Sequence, residues 1–208
     1  MRGEQLELEG LATEVRRRAR IQPDVVETAS RIAFGALGER ALTVDRSMRL
    51  AAYLQAIENG WQIVVNPTAP DLRFHIAHEL GEWALRTIAR FRGDDAARER
   101  AANYIAAAIL APEPAILRAH ASLGERPRSI AAWFQLSQTA TVLRLAEVVG
   151  DERAVVTKTG NVLLRTQGTF PWAKVPLIEV ARGTKWRGLA RARLRGGIDE
   201  GRVALRAR

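Results

Sequence analysis

No cysteine occurs among the 208 residues, so disulfides and thiolate metal sites are excluded. Any bound metal must rest on histidine, aspartate or glutamate, and only three histidines are present, His75, His78 and His120. The absence of cysteine also suits a reducing compartment. The start, Met1-Arg2-Gly3-Glu4-Gln5, leads into a charged amphipathic segment without the apolar core of a signal peptide. The longest apolar run, 104–112, is too short to span a bilayer. These absences predict a cytoplasmic protein with no membrane partner. No internal repeat or low-complexity tract stands out.

What is present is an ordinary globular composition, 47% hydrophobic and 26% charged, enough for one core and a small appendage. The net charge of +9 favours anionic partners, nucleic acid or an acidic protein face. The excess is concentrated at the end. Residues 182–208 hold nine basic residues against Asp199 and Glu200, which as readily describes a solubilising tail.

Periodicity predicts helices at 6–20, 24–37, 72–90, 95–110 and 113–121, and two more within 129–149. Pro70-Asp71 is expected to cap the third helix. Residues 42–54 read equally as strand or helix, whereas 61–66 is a strong strand between Asn59-Gly60 and Pro67. Residues 151–165 suggest a hairpin across Thr159-Gly160-Asn161, and 176–180 and 202–205 suggest further strands. The fold class is α+β, mainly α. A first domain is expected at 1–150, with a helix-turn-helix-like region at 127–149, followed by a small, β-rich, basic extension at 151–208.

The chemistry concentrates in Arg73-Phe74-His75-Ile76-Ala77-His78-Glu79-Leu80-Gly81-Glu82-Trp83. Metallopeptidase helices carry H-E-x-x-H, whose two histidines lie one turn apart beside a glutamate. Here the second histidine is Glu82. At about 100° per residue, with His75 at zero, His78 falls near −60°, Glu82 near −20° and Glu79 near +40°. All four share one face about 100° wide. Two donors at i and i+4 reach one ion, and the adjacent carboxylate can take a proton from water. Glu99 opens the next helix, and a short antiparallel turn would bring it near His78 and Glu82 as a third donor. The plainer readings are that Glu82 pairs with Arg86 at i+4, that Glu99 favours a helix N-terminus, and that Asn103 merely caps or bridges helices.

Phe74-x-x-Ala77-His78-Glu79-Leu80-Gly81, followed by Glu99-x-x-Ala102-Asn103-x-x-Ala106-Ala107-x-x-Leu110-x-Pro112, resembles the ImmA/IrrE family of metallopeptidases. The segment Ile130-Ala131-Ala132-Trp133-Phe134-Gln135-Leu136-Ser137-x-x-Ala140-x-x-x-Arg144-Leu145 resembles that family's helix-turn-helix-like region. The match runs from about residue 10 to about 150. The resemblance implies a small zincin-like (gluzincin-like) domain that cleaves a helix-turn-helix repressor and derepresses its genes. It implies His78 and Glu99 as zinc ligands and Glu79 as the general base, with Glu82 in the place of the second histidine.

A His, Glu, Glu set adds negative charge and leans toward harder ions, so manganese, or no metal at all, stands beside zinc as the cofactor expectation. His75, one turn earlier on the same face, is an additional candidate donor. The strand at 62–66 resembles the edge strand that would hold an extended substrate, with Gln62, Val64 and Asn66 as contacts. A catalytically inactive protein- or DNA-binding module is the alternative function. A true helix-turn-helix would place Gln138, Thr141 and Arg144 against DNA.

Overall fold

The structure is a computed structural model that describes residues 2–22, 24–123, 127–149, 152–157, 162–165, 195–199 and 202–207. The chain divides into two compact units, Met1–Ala115 and Ile116–Arg208.

The first unit contains α1 (Arg2–Arg18), α2 (Ala29–Leu37), β1 (Leu42–Val44), β2 (Ala52–Ile57), β3 (Gly60–Val65), α3 (Leu72–Ala84) and α4 (Asp95–Leu110). The ambiguous stretch at 42–54 is strand at both ends. Helix α2 begins later than Pro23-Asp24 suggests because Thr28 is its cap, its hydroxyl accepting from the Arg31 N–H at 3.3 Å. Asp94 caps α4 in the same way, accepting from the Ala97 N–H at 2.6 Å. The expected cap of α3 is not made: Asp71 is left-handed, at φ 53°, and its side chain accepts no capping bond. Helix α3 widens into a π-helical turn at Leu85–Ala89, one residue longer per hydrogen-bonded ring.

The sheet order is β1-β3-β2, so β3 is the central strand, parallel to β1 and antiparallel to β2. Ile63, Val64 and Val65 are all buried, as befits a strand covered on both faces. The hairpin between β2 and β3 closes on Gly60, whose φ of 142° strains any other residue.

Leu80, Ile105 and Ile109 are fully buried with a run of alanines on α4, and these small side chains let α3 and α4 approach closely. The contact is tightest at Gly81, where an added Cβ would lie 2.8 Å from the Ala102 carbonyl oxygen. This close approach fixes the register of the two helices and therefore which polar side chains meet across them. Buried Arg16 ties α1 to the end of α4 by donating to the Ile109 carbonyl at 2.8 Å. It also donates to the Gln22 carbonyl at 2.7 Å, which anchors the loop before α2.

Helix α5 (Glu113–Leu123) contains the division between the units. That division differs from the expected boundary after residue 150. In the second unit, α6 (Pro127–Phe134) and α7 (Gln138–Val149) pack together, and α7 packs on β4 (Glu152–Thr157). The helix-turn-helix-like region thus groups with the C-terminal strands. Gln135 makes the turn between the two helices in the left-handed conformation, and Ser137 caps α7 by accepting from the Ala140 N–H at 3.1 Å. Strands β5 (Val162–Arg165), β6 (Arg195–Asp199) and β7 (Arg202–Ala207) complete an antiparallel sheet ordered β5-β4-β7-β6. The suggested turn at 159–161 and strand at 176–180 lie outside the described residues. Among the described residues, no helix is long and apolar enough to cross a membrane.

Candidate metal centre

Residues one turn apart on α3 meet residues one turn apart on α4 along the seam that Gly81 sets. His78, Glu82 and Glu99 each offer a donor atom, and the three atoms lie within 4.8 Å of one another. His78 Nε2 is 3.6 Å from Glu99 Oε2. Two ligands held about 2.0–2.1 Å from a tetrahedral zinc ion stand about 3.4 Å apart, so this pair needs little adjustment to accept one. The donor set and spacing fit a zinc or manganese ion.

Asn103 organises that pair. Its Nδ2 donates to Glu99 Oε1 at 3.3 Å, and its Oδ1 lies 3.1 Å from His78 Nδ1. A carboxylate only accepts, so the amide must turn its NH₂ to Glu99 and its oxygen to His78. The oxygen then requires the proton on Nδ1, so that in the neutral ring Nε2 is the nitrogen left to act as a donor to an ion on the side of Glu99. Outer groups commonly orient ligating histidines this way. Asn103 does more than cap or bridge, and the readable signal was its i+4 spacing from Glu99.

Glu82 is held differently. Its side chain is 9% exposed, and Oε2 accepts from Arg86 Nε at 3.2 Å and Nη2 at 3.1 Å. The plain i+4 pairing is therefore real, but it is mostly buried. Arg98 Nε, from α4, stands 3.3 Å from the same oxygen. That approach is a charge contact without hydrogen-bond alignment, since Arg98 Nε has no aligned acceptor. Arg98 also pairs with Asp95 at 3.0 Å. Sequence reasoning missed Arg98, whose partner is fixed by helix register rather than by any local pattern.

Glu79 lies half-buried beside His78, with its carboxyl pushed above the ordinary value of 4.5, chiefly by burial. The neighbouring Glu82 charge adds to the rise, while His78, the Leu54 backbone N–H and Arg86 oppose it. Leu54 belongs to β2, so Glu79 faces that strand.

The remaining candidates fall elsewhere. His75 stands outside the donor cluster, its ring edge-on to Phe74 at 6.4 Å between centroids. The strand at 62–66 is not an edge. Both sides of β3 are already paired, and among the described strands β1 and β2 lie at the ends of this sheet. Val64 is buried, Gln62 Nε2 donates to the Arg40 carbonyl at 2.9 Å, and Asn66 Nδ2 donates to the Met48 carbonyl at 3.0 Å. Each of the three is thus engaged within the fold. In α7, Thr141 and Arg144 are both 0% exposed, so neither is presented to a duplex. Thr141 bonds back to the Ser137 carbonyl at 2.9 Å, and Arg144 pairs with Glu147 at 3.5 Å. The side chain of Gln138 lies outside the description.

Comparison with known proteins bears on the family and the fold. The family model Peptidase_M78, described as the IrrE N-terminal-like domain, matches residues 39–146. A solved structure described as a Mycobacterium tuberculosis transcriptional regulator superposes with a TM-score of 0.62 at 17% identity, covering 97% of this chain and 75% of that one. At that identity the likeness is one of fold. No curated protein matches the chain.

Proposed function

The chain belongs to the Peptidase_M78 family of IrrE N-terminal-like domains, and from that premise we propose that it is a metal-dependent endopeptidase acting on a regulatory protein. The observation that carries the reading is the join of His78, Asn103 and Glu99 across α3 and α4, with Glu79 beside them. His78, Glu99 and Glu82 would hold the ion, zinc or manganese. When bound, such an ion supplies Lewis acidity toward a peptide carbonyl.

The chain's own groups supply the rest. Asn103 sets the His78 tautomer and fixes the Glu99 carboxylate. Glu79, its carboxyl raised above the ordinary value by burial, is placed to take a proton from an attacking water at its carboxylate and return it to the departing amine. The outer side of β2, whose Leu54 N–H bonds Glu79, would be where an extended substrate pairs beside the site. That edge takes over the role expected of 62–66. The substrate class is a helix-turn-helix repressor, by the resemblance, and the setting is the cytoplasm.

The test is cleavage of a repressor encoded near this chain, with zinc or manganese added. Wild type should cut and Glu79→Gln should not, although both bind the repressor equally. No cleavage by wild type with either ion, at any repressor tried, would remove the reading.

One observation favours a second reading. Glu82 Oε2 is already engaged by two arginines, so the chain also suits a catalytically silent module that binds a regulator without cutting it. Retained binding by both wild type and Glu79→Gln, without cleavage by either, selects that alternative. Burial of Thr141 and Arg144 counts against these two as contacts in direct DNA binding.

A further inference from the structure

We propose that Arg86 and Arg98 form a latch on Glu82 Oε2, so that an ion drawn to the His78, Glu82 and Glu99 cluster competes with two guanidinium groups for that carboxylate. This inference rests on the metal-centre reading and concerns its regulation.

The latch is built from three positions. Glu82 lies next to Gly81, where an added Cβ would meet the Ala102 carbonyl oxygen of α4 at 2.8 Å. Arg98 precedes Ala102 by one turn on α4, so the contact of Gly81 with Ala102 brings Arg98 over Glu82. Arg86 follows Glu82 by one turn on α3 and reaches back to the same oxygen with two nitrogens. The π-helical turn begins at Leu85, so Arg86 projects from widened backbone rather than from a regular helix. Both arginines converge on Oε2, and Glu82 is mostly buried between them.

A histidine at position 82 would offer a neutral nitrogen and carry no charge for the arginines to hold. A glutamate there changes both states of the site. Without an ion, the carboxylate is matched by two positive charges. With an ion, those charges lie a few ångströms from a dication and oppose it. The arginines also draw electron density from the oxygen that an ion would use. Arg86 and Arg98 are partly exposed, with side chains 45% and 36% accessible, so they can swing into water when an ion arrives. The same exposure screens the pairing, which keeps the latch reversible.

The other end of the seam shows no such competition. His78 Nε2 faces Glu99 and is oriented by Asn103. The site therefore has two donors free of cationic competition and a third whose Oε2 is shared with two arginines.

The experiment is calorimetric titration of the full chain with zinc alone and with manganese alone. Wild type is compared with the double variant Arg86→Gln/Arg98→Gln and with Glu82→His, and a melting curve for each establishes folding. Glutamine keeps the length of the arginine stem and removes the charge. The latch predicts that the double variant binds zinc roughly tenfold more tightly than wild type or better, the scale of two partly screened charge pairs. It also predicts a larger rise in melting temperature on zinc addition for the double variant. Equal affinity in wild type and the double variant overturns the latch, whether binding is tight in both or absent in both. Glu82→His then separates the causes. If it binds zinc, the metal centre is sound and only the latch fails. If it also stays empty, the metal-centre reading fails with the latch.

Discussion

The seam between α3 and α4 has two ends that are built alike in sequence and behave differently in space. At one end His78, Asn103 and Glu99 form a connected set whose free donors face one another at 3.6 Å. At the other, Glu82 is drawn to Arg86 and Arg98. Both ends use residues one turn apart on facing helices, and both contain a carboxylate. What separates them is the outer partner. Asn103 is neutral and orients without changing the charge, whereas the arginines neutralise the group they hold. The difference teaches that a metal-ligand position is defined by its neighbours as much as by its own side chain.

The largest effect should come from closing off the register that creates both ends. Gly81→Ala places a Cβ 2.8 Å from the backbone oxygen of Ala102, which no side-chain rotation relieves. The expected loss is about 2–3 kcal/mol in denaturant unfolding, by the usual cost of overpacking. Gly10→Ala is the control, because a Cβ there meets nothing within 4 Å, and it should be neutral or mildly stabilising. Equal effects at the two glycines would break the account of the seam.

Next is Glu82→Ala without metal. It removes a mostly buried carboxylate and leaves two arginines that can turn into solvent. The cost should be about 1–2 kcal/mol, below that of breaking a fully buried pair. Asn103→Ala follows, at about 1 kcal/mol for lost hydrogen bonds. Its sharper readout is the ¹⁵N spectrum of His78, where the Nδ1-protonated tautomer should lose its dominance. An unchanged tautomer would show that Asn103 does not orient the ring.

The smallest effect is expected away from the seam. Exposed Glu14, held by Arg17 and Arg18, has its carboxyl lowered to about 2 by those hydrogen bonds. A depressed carboxyl contributes stability that is present above its ordinary value of 4.5 and is lost as pH falls toward about 2. Because solvent screens the pairs, that contribution is small, and Glu14→Gln should lower melting at neutral pH far less than Glu82→Ala.

Much of this seam was legible in the chain. The 3.6-residue period placed His78, Glu79 and Glu82 on one face, and the break at Gly93-Asp94-Asp95 announced the antiparallel return that brings Glu99 across. The helices were readable because each carries its own repeating pattern. The sheet was less so. Residues 61–66 announced a strand but not a central one, because pairing on both sides is set by β1 and β2, and β1 has only three residues. Arg98 was invisible for a related reason, since its partner is sixteen residues away and is chosen by helix register. Arg144 misled because an arginine in a helix-turn-helix-like segment reads as a phosphate contact, while here it pairs with Glu147 inside the fold.

The most direct test of the difference between the two ends is the anomalous density at the zinc edge in zinc-soaked crystals of wild type and of Arg86→Gln/Arg98→Gln, grown alike. The account predicts partial density beside His78 and Glu99 in wild type, with Glu82 still on its arginines, and full density joined by Glu82 in the double variant. Full density ligated by Glu82 in both crystals would contradict it.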